Sequence, residues 1–218
     1  MGTGQRMNTT ELIERLSRDP RPAPRLGVRT GLLYASTGVW LSLGLFVFLI
    51  PLQPSWHAAW ADAAYLARTL LLLTLCLMAL WAWWRSCHAA LAWRVRGGWL
   101  VIPVLFWAAW ALERVWGEGP VQIMSSIWTE SWPFCSLAIV LLSLPILVST
   151  LVVCRRYSPT RPVFSGALSG CLAGSVAALI YTLHCNQTHV SFVLVWYGLG
   201  LVGPTALGAY AGHRWLRW

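Results

Sequence analysis

Charge is scarce in this chain, and lysine is absent from it altogether. Only 11% of the 218 residues are charged, whereas 57% are hydrophobic. The motifs of several common enzyme classes are also missing, since the chain has no P-loop, no His-Glu-x-x-His zinc motif and no Gly-x-Ser-x-Gly elbow. Nor does it contain a carboxylate pair placed for acid–base catalysis. We therefore expect a protein that is not an enzyme and not a soluble globular domain.

Long apolar runs fill most of the sequence instead. A helix of about 20 apolar residues, rising ~1.5 Å per residue, crosses the ~30 Å hydrocarbon layer of a bilayer. The sequence predicts an all-α integral membrane protein with six transmembrane helices in residues 31–218, preceded by a short cytoplasmic segment, residues 1–30. The predicted spans are residues 32–52, 64–84, 99–117, 134–154, 165–183 and 191–212.

The arginines predict which way the bundle faces. Most of the 16 lie in the N-terminal segment, in the loops 85–98 and 155–164, and in the C-terminal tail. The loops near 53–63, 118–133 and 184–190 contain none. Because positive loops stay in the cytoplasm, both termini are predicted to be cytoplasmic. The formal charge of +9 thus comes mainly from the arginines of cytoplasmic segments, and the partner that it indicates is the lipid bilayer. We expect no direct nucleic-acid binding.

The N-terminal segment contains one short amphipathic pattern. Leu12, Ile13 and Leu16 fall on one face of a helix that ends before Asp19-Pro20, because a residue preceding proline avoids the helical region. An apolar stripe of this kind needs a partner. The membrane surface and a groove on a second protein both remain open as that partner.

Glycines recur at helical spacing in the fifth and sixth predicted spans. Small residues at positions i, i+4 and i+8 form a smooth stripe that lets a neighbouring helix approach closely. We therefore predict close helix packing at Gly166, Gly170, Gly174, Gly208 and Gly212.

Two of the six cysteines lie at the predicted outer ends of neighbouring spans. Cys135 opens the fourth span and Cys185 closes the fifth, and thiols at one depth on adjacent helices can approach to disulfide range. His184 and His189 flank Cys185 and could serve as auxiliary ligands if the thiols bind a thiophilic metal transiently. No obligatory cofactor is expected, because no four-ligand motif is present. A disulfide, a metal site and two unrelated interfacial cysteines remain alternatives.

Two ionisable residues lie near the outer ends of predicted spans. Charges at such depth are costly and are usually paired, so Arg68 and Glu113 are predicted to form an intramembrane ion pair. The alternative is that Arg68 extends its charged group to the outer interface.

Several segments together resemble a known family. The similarity covers the chain and is strongest in its last quarter. These segments are similar to the signature of the negative-regulator-of-sigma-F (NrsF) membrane proteins. The segments are Gly166-Ala-Leu-Ser-Gly170, Tyr181-Thr-Leu-His184-Cys185, Phe192–Gly200 and Leu207–Trp218, with a weaker match at Leu12–Leu16.

The resemblance implies a six-span anti-sigma factor of the bacterial inner membrane. Such a protein holds a sigma factor of the extracytoplasmic-function (ECF) type through its N-terminal segment, which makes Leu12, Ile13 and Leu16 the sigma-binding candidates. A stress signal, redox or metal, releases the sigma factor, and a cysteine pair takes part in sensing it. By motif Cys185 carries this role, with Cys135 as its best-matching partner.

Two other function classes fit a small polytopic protein. A transporter or channel predicts polar residues lining a cavity at mid-membrane depth, which the sequence does not offer. A thiol-dependent membrane redox enzyme predicts turnover with a quinone or thiol substrate. Neither explains the amphipathic helix in the N-terminal segment.

Overall fold

A computed structural model describes residues 8–18, 28–50, 62–88, 98, 101–117, 120–128, 132–185 and 187–217. The regular structure within these ranges is helical, as predicted. The helices are α1 (Thr9–Arg18), α2 (Val28–Leu49), α3 (Ala63–Cys87), α4 (Val101–Gly117), α5 (Pro120–Ile127), α6 (Trp132–Arg156), α7 (Pro162–Tyr181) and α8 (Val190–Trp215). Within α8 the stretch Val193–Tyr197 is wound as a π-helix.

Five of the described helices are long and apolar enough to cross a membrane, namely α2, α3, α6, α7 and α8. Each coincides with a predicted span, whose ends differ from the observed ones by a few residues. The remaining predicted span, residues 99–117, corresponds to α4. This helix has 17 residues, or ~26 Å of length, which is short for a full crossing. The sixth span and the orientation of the termini therefore stay predictions.

The outer surface of the bundle is apolar. Large side chains such as Trp40, Phe48 and Phe106 are exposed, with Phe48 reaching 87%. A soluble protein rarely leaves so much contiguous apolar surface in water. Hydrocarbon is the environment that suits this surface, which supports the assignment of these helices to the membrane.

Helix α7 lies at the centre of the bundle. It packs against α3, α6 and α8, while α2 packs on α6. Small residues make this central position possible, since Ser165, Ser169 and Ser175 on α7 are fully buried and donate their hydroxyl protons to backbone carbonyls. A buried hydroxyl that is satisfied in this way avoids the penalty of an unpaired polar group.

The α7–α8 interface is a contact between backbones. A methyl group added at Gly166 would meet the carbonyl oxygen of Gly208, and one added at Gly170 would meet that of Pro204. At Gly174 the nearest atom is the end of the Leu201 side chain, 3.3 Å away. The structure thus brings the predicted glycine stripe to the interface, with Gly174 at its looser end.

Helix α2 is joined to α6 by a buried polar contact. The Ser42 hydroxyl, fully buried, donates a hydrogen bond of 2.8 Å to the carbonyl oxygen of Leu142. Close by, a side chain at Gly38 would meet the carbonyl of Pro145 and the hydroxyl of Ser149.

Candidate functional site at a buried thiol pair

The two cysteines singled out in the sequence lie together in the fold. Cys135 is in the first turn of α6, and Cys185 follows the turn that ends α7, where its amide donates to the carbonyl of Tyr181 over 3.1 Å. Both are free cysteines and both are buried, Cys135 completely and Cys185 to all but 5%. Their thiols are hydrogen-bonded to each other. The pair is therefore placed to react as a unit.

A tyrosine extends the thiol pair into a short hydrogen-bonded chain. The hydroxyl of Tyr181, the last residue of α7, lies 3.3 Å from the Cys135 sulfur and donates to it. Cys135 in turn donates to Cys185, whose sulfur also accepts from the Gln187 amide. The donors in this chain all point toward Cys185, which favours negative charge on that sulfur.

The environment of Cys185 lowers the pKa of its thiol to about 6. The hydrogen bond from Cys135 is the largest cause, and the Gln187 amide and the positive charge of Arg68 add to it, whereas burial opposes the shift. Because the thiolate rather than the thiol is the nucleophile and the metal ligand, Cys185 is the more reactive sulfur of the pair at neutral pH.

The π-helical stretch of α8 forms the opposite wall of the site. It buries Trp196 and Tyr197 side by side, and Trp196 is held by a 2.9 Å bond from its indole nitrogen to the carbonyl of Ile127. The Ser136 hydroxyl donates to the Trp196 carbonyl at 2.7 Å. Tyr197 is 1% exposed, and its hydroxyl faces the Cys185 thiol. π-Helical turns within α-helices often mark functional sites.

Arg68 closes the site from α3 in a way the sequence did not predict. The side chain is 1% exposed, and its guanidinium donates to the carbonyl oxygens of Gln187 at 2.6 Å and Cys185 at 2.9 Å. Glu113 is an exposed residue of α4, and the structure does not bring the two together. Within the described part of the chain, backbone carbonyls take the place of the predicted carboxylate.

The two histidines lie at the margin of the thiol pair. His184 packs against the Tyr181 ring with centroids 5.7 Å apart, and His189 is exposed just before α8. In the ranges that the structure describes, no three His, Cys, Asp or Glu side chains are grouped to hold a metal ion. A metal ion at this site would therefore find two ligands there, the sulfurs of Cys135 and Cys185.

Sequence reasoning missed the aromatic residues around the thiols and did not connect Arg68 with them. Tyr181 lies four residues before Cys185, a spacing that places both on one side of a helical turn, and this signal was available in the sequence. Tyr197 had no such signal, because its direction depends on the π-helical stretch. A second contact was also missed, since the thiols of Cys87 and Cys154 are hydrogen-bonded at the opposite end of the bundle.

The sigma-binding candidates lie in α1, which forms as predicted. Ile13 is 62% exposed. Leu12 and Leu16 belong to the same helix, but their side chains lie outside the described residues. The apolar stripe of α1 thus presents at least one large side chain at the surface.

The site lies in a part of the chain that matches a known protein family. The family model described as negative regulator of sigma F matches residues 16–218. The chain belongs to the NrsF family. That membership covers the thiol site and all five apolar helices, while Leu12 and Ile13 lie before the matched range. The family is regulatory, in keeping with the expectation of a protein that is not an enzyme.

Two curated NrsF proteins are similar to the chain over part of its length. A probable anti-sigma-F factor NrsF from Azospira oryzae is 38% identical over 120 residues, 55% of this chain and 56% of that protein. The anti-sigma-F factor NrsF from Caulobacter vibrioides is 33% identical over 126 residues, 56% of this chain and 59% of that protein. The chain therefore spans somewhat more than half the length of these relatives. No solved structure matches it.

Proposed function

We propose that this chain is a membrane-bound anti-sigma factor that holds an ECF-type sigma factor at the cytoplasmic face and releases it when the thiol pair is modified. The match of residues 16–218 to a family of negative regulators of sigma factors is the observation that carries this proposal. The relatives are named as anti-sigma-F factors, which makes a sigma factor the partner. The bacterial inner membrane is the site of action.

We propose that α1 supplies the contact with the sigma factor. Its apolar stripe at Leu12, Ile13 and Leu16 has the spacing of a helix that lies in a groove. Ile13 is exposed, so the stripe is not fully covered by the bundle. Burying two leucines contributes roughly 1.5–3 kcal/mol each, which is enough to change affinity by about 100-fold or more.

Aspartates in place of Leu12 and Leu16 should abolish capture of the sigma factor. The measurement is purification of the tagged chain from its own cells, followed by reconstitution with the sigma factor that mass spectrometry finds. A Thr10→Asp/Arg18→Gln chain has the same net charge change outside the apolar stripe, and it should retain the partner. Absence of any sigma factor from the wild-type preparation, or equal capture by the Leu12→Asp/Leu16→Asp chain, contradicts the proposal.

The orientation with both termini inside the cell is part of the proposal. It is supported by the arginines of the loops 85–98 and 155–164. Thr160, in the arginine-rich loop between α6 and α7, and His189, beside the thiol site, are both exposed. A cysteine at Thr160 should react with a membrane-impermeant thiol reagent only from the cytoplasmic side, and one at His189 only from the outside. The reverse pattern would place α1 outside and end the anti-sigma interpretation.

We propose that the signal is a two-sulfur reaction of Cys135 and Cys185. With hydrogen peroxide as oxidant, the two thiols give up two protons and two electrons, a disulfide forms, and one peroxide becomes two waters. Capture of a soft metal ion between the two sulfurs is the alternative signal, and both would move α6 relative to the end of α7. The reduced pair corresponds to the holding state.

We propose that α6 and α2 carry the change to α1. Cys135 is part of α6, α2 packs against α6 through Ser42 and Gly38, and α1 precedes α2 in the chain. The backbone contacts between α7 and α8 hold these two helices together. A coupling of about 1–3 kcal/mol would alter sigma affinity roughly 5- to 150-fold.

A further inference from the structure

Arg68 is a buried cation whose surroundings contain no carboxylate partner in the described part of the chain. Its two terminal nitrogens donate to the Gln187 and Cys185 carbonyls, and its Nε has no partner among the described residues. The guanidinium carbon lies 4.8 Å from the Tyr65 ring centroid and 5.7 Å from that of Tyr197. Carbonyl dipoles and ring faces ease the burial of this charge but do not neutralise it.

The acidic side chains of the described ranges lie elsewhere. Asp62 is exposed and caps the first turn of α3 by accepting from the Ala64 amide at 2.9 Å. Glu113 is exposed on α4. The groups near Arg68 that can become negative are the two thiols and the hydroxyls of Tyr65 and Tyr197. Because a charge is stabilised by an opposite charge close to it, Arg68 favours ionisation of a neighbouring group.

The position of Cys185 makes it the natural counter-charge. Arg68 donates a hydrogen bond to the carbonyl of that residue, which holds the guanidinium beside it. The Cys135 thiol donates a hydrogen bond to Cys185 and accepts one from the Tyr181 hydroxyl. Negative charge is therefore stabilised from three sides at Cys185 and from fewer at Cys135.

We propose that Arg68 is the positioning residue of the thiol pair: it fixes the Cys185–Gln187 segment by its two carbonyl bonds and makes Cys185 the reacting sulfur and Cys135 the resolving one. In the peroxide reaction the Cys185 thiolate attacks an oxygen, hydroxide leaves, and a sulfenic acid forms. Cys135 then attacks that sulfur, water leaves, and the disulfide closes. This inference rests on the proposed function of the pair as a sensor.

The test is the pH dependence of alkylation at Cys185. The purified full-length chain in detergent is treated with iodoacetamide between pH 5 and 10, and modification of each cysteine is quantified by peptide mass spectrometry. The groups that face Cys185 and enter its titration are Cys135 on α6, Arg68 and Tyr65 on α3, Tyr197 on α8, and Tyr181 and His184 on its own segment.

Wild-type chain should show a midpoint near pH 6 for Cys185. Arg68→Gln should move that midpoint upward by about one pH unit or more, because an opposite charge at this range shifts a pKa by ~1–3 units. Arg68→Lys keeps the charge and should restore the midpoint to near the wild-type value. Arg85→Gln removes another arginine of α3, at the far end of the helix, and should leave the midpoint unchanged.

A purely structural role predicts a different pattern. Arg68→Gln and Arg68→Lys would then both change the alkylation rate at every pH with no shift in midpoint, and this result overturns the proposal. Should Arg68→Gln fail to accumulate, the wild-type midpoint decides, because a value near pH 9 is equally contrary. Sigma release by peroxide is measured in parallel. If the midpoints shift as expected but peroxide releases no sigma factor, the sensor proposal fails while the role of Arg68 in the ionisation of Cys185 stands.

Discussion

Alanine at Gly170 should destabilise the bundle by about 3 kcal/mol. The added methyl group would overlap the carbonyl oxygen of Pro204 and press on the Cα atom of Thr205, and both belong to the backbone of α8. Neither atom can rotate away, so α7 and α8 must separate along their shared interface. Thermal unfolding of the detergent-purified chain, followed by circular dichroism, should show a midpoint lowered by roughly 6–12 °C.

Gly174→Ala is the matched control for this effect. It lies one turn further along the same stripe, yet the one tight contact of its added methyl would be with the end of the Leu201 side chain, which can shift. Gly44, with open space around it in α2, gives a second control. Both alanines should leave the midpoint within about 2 °C, or raise it slightly, because alanine favours a helix over glycine. Equal destabilisation by Gly170→Ala and Gly174→Ala would refute the backbone contact.

The glycine stripe shows how far spacing alone can reach. A four-residue repeat predicts that these glycines share one face, and the structure places them against α8. Spacing cannot tell which of them touch backbone, because that depends on where α8 crosses and on the residues it presents there. Gly170 meets Pro204 and Gly174 meets Leu201, and only the assembled pair of helices distinguishes a severe contact from a tolerant one.

The thiol pair was predictable from depth and topology. Cys135 and Cys185 end neighbouring helices joined by a short loop, so their approach follows from the lengths of the spans. The walls of the site were not predictable in this way. A π-helical stretch changes the rotation of the residues that follow it, so a regular 3.6-residue period gives the wrong direction for Tyr197.

Arg68 illustrates a different limit. Depth arguments pair a buried cation with an acidic residue predicted at a similar depth, which suggested Glu113. They do not count backbone carbonyls, which become free acceptors wherever a helix ends. The chain between α7 and α8 exposes the carbonyls of Cys185 and Gln187 at the level of Arg68, and the guanidinium binds them.

Serine at Cys185 should make sigma retention insensitive to peroxide. In the wild-type chain, oxidation is expected to weaken retention of the sigma factor roughly 5- to 150-fold, the range of an ordinary coupling between two sites. A serine hydroxyl can keep the hydrogen bonds of the site but cannot form a disulfide. Retention of the bound sigma factor is measured before and after peroxide treatment, with the disulfide followed by mass spectrometry of the linked peptides.

Serine at Cys135 and serine at Cys185 should change the products of peroxide treatment in different ways. Cys135→Ser leaves the reactive Cys185 in place, so peroxide should still produce a sulfenic acid there, without a disulfide and without release. Cys185→Ser should remove both products. Cys76→Ser, a half-buried position within α3, is the control and should respond like wild type. Release of the sigma factor from the Cys185→Ser chain would show that the thiol pair is not the sensor. Release from Cys135→Ser alone would instead assign the signal to the sulfenic acid, and the movement of α6 by disulfide closure would no longer explain it.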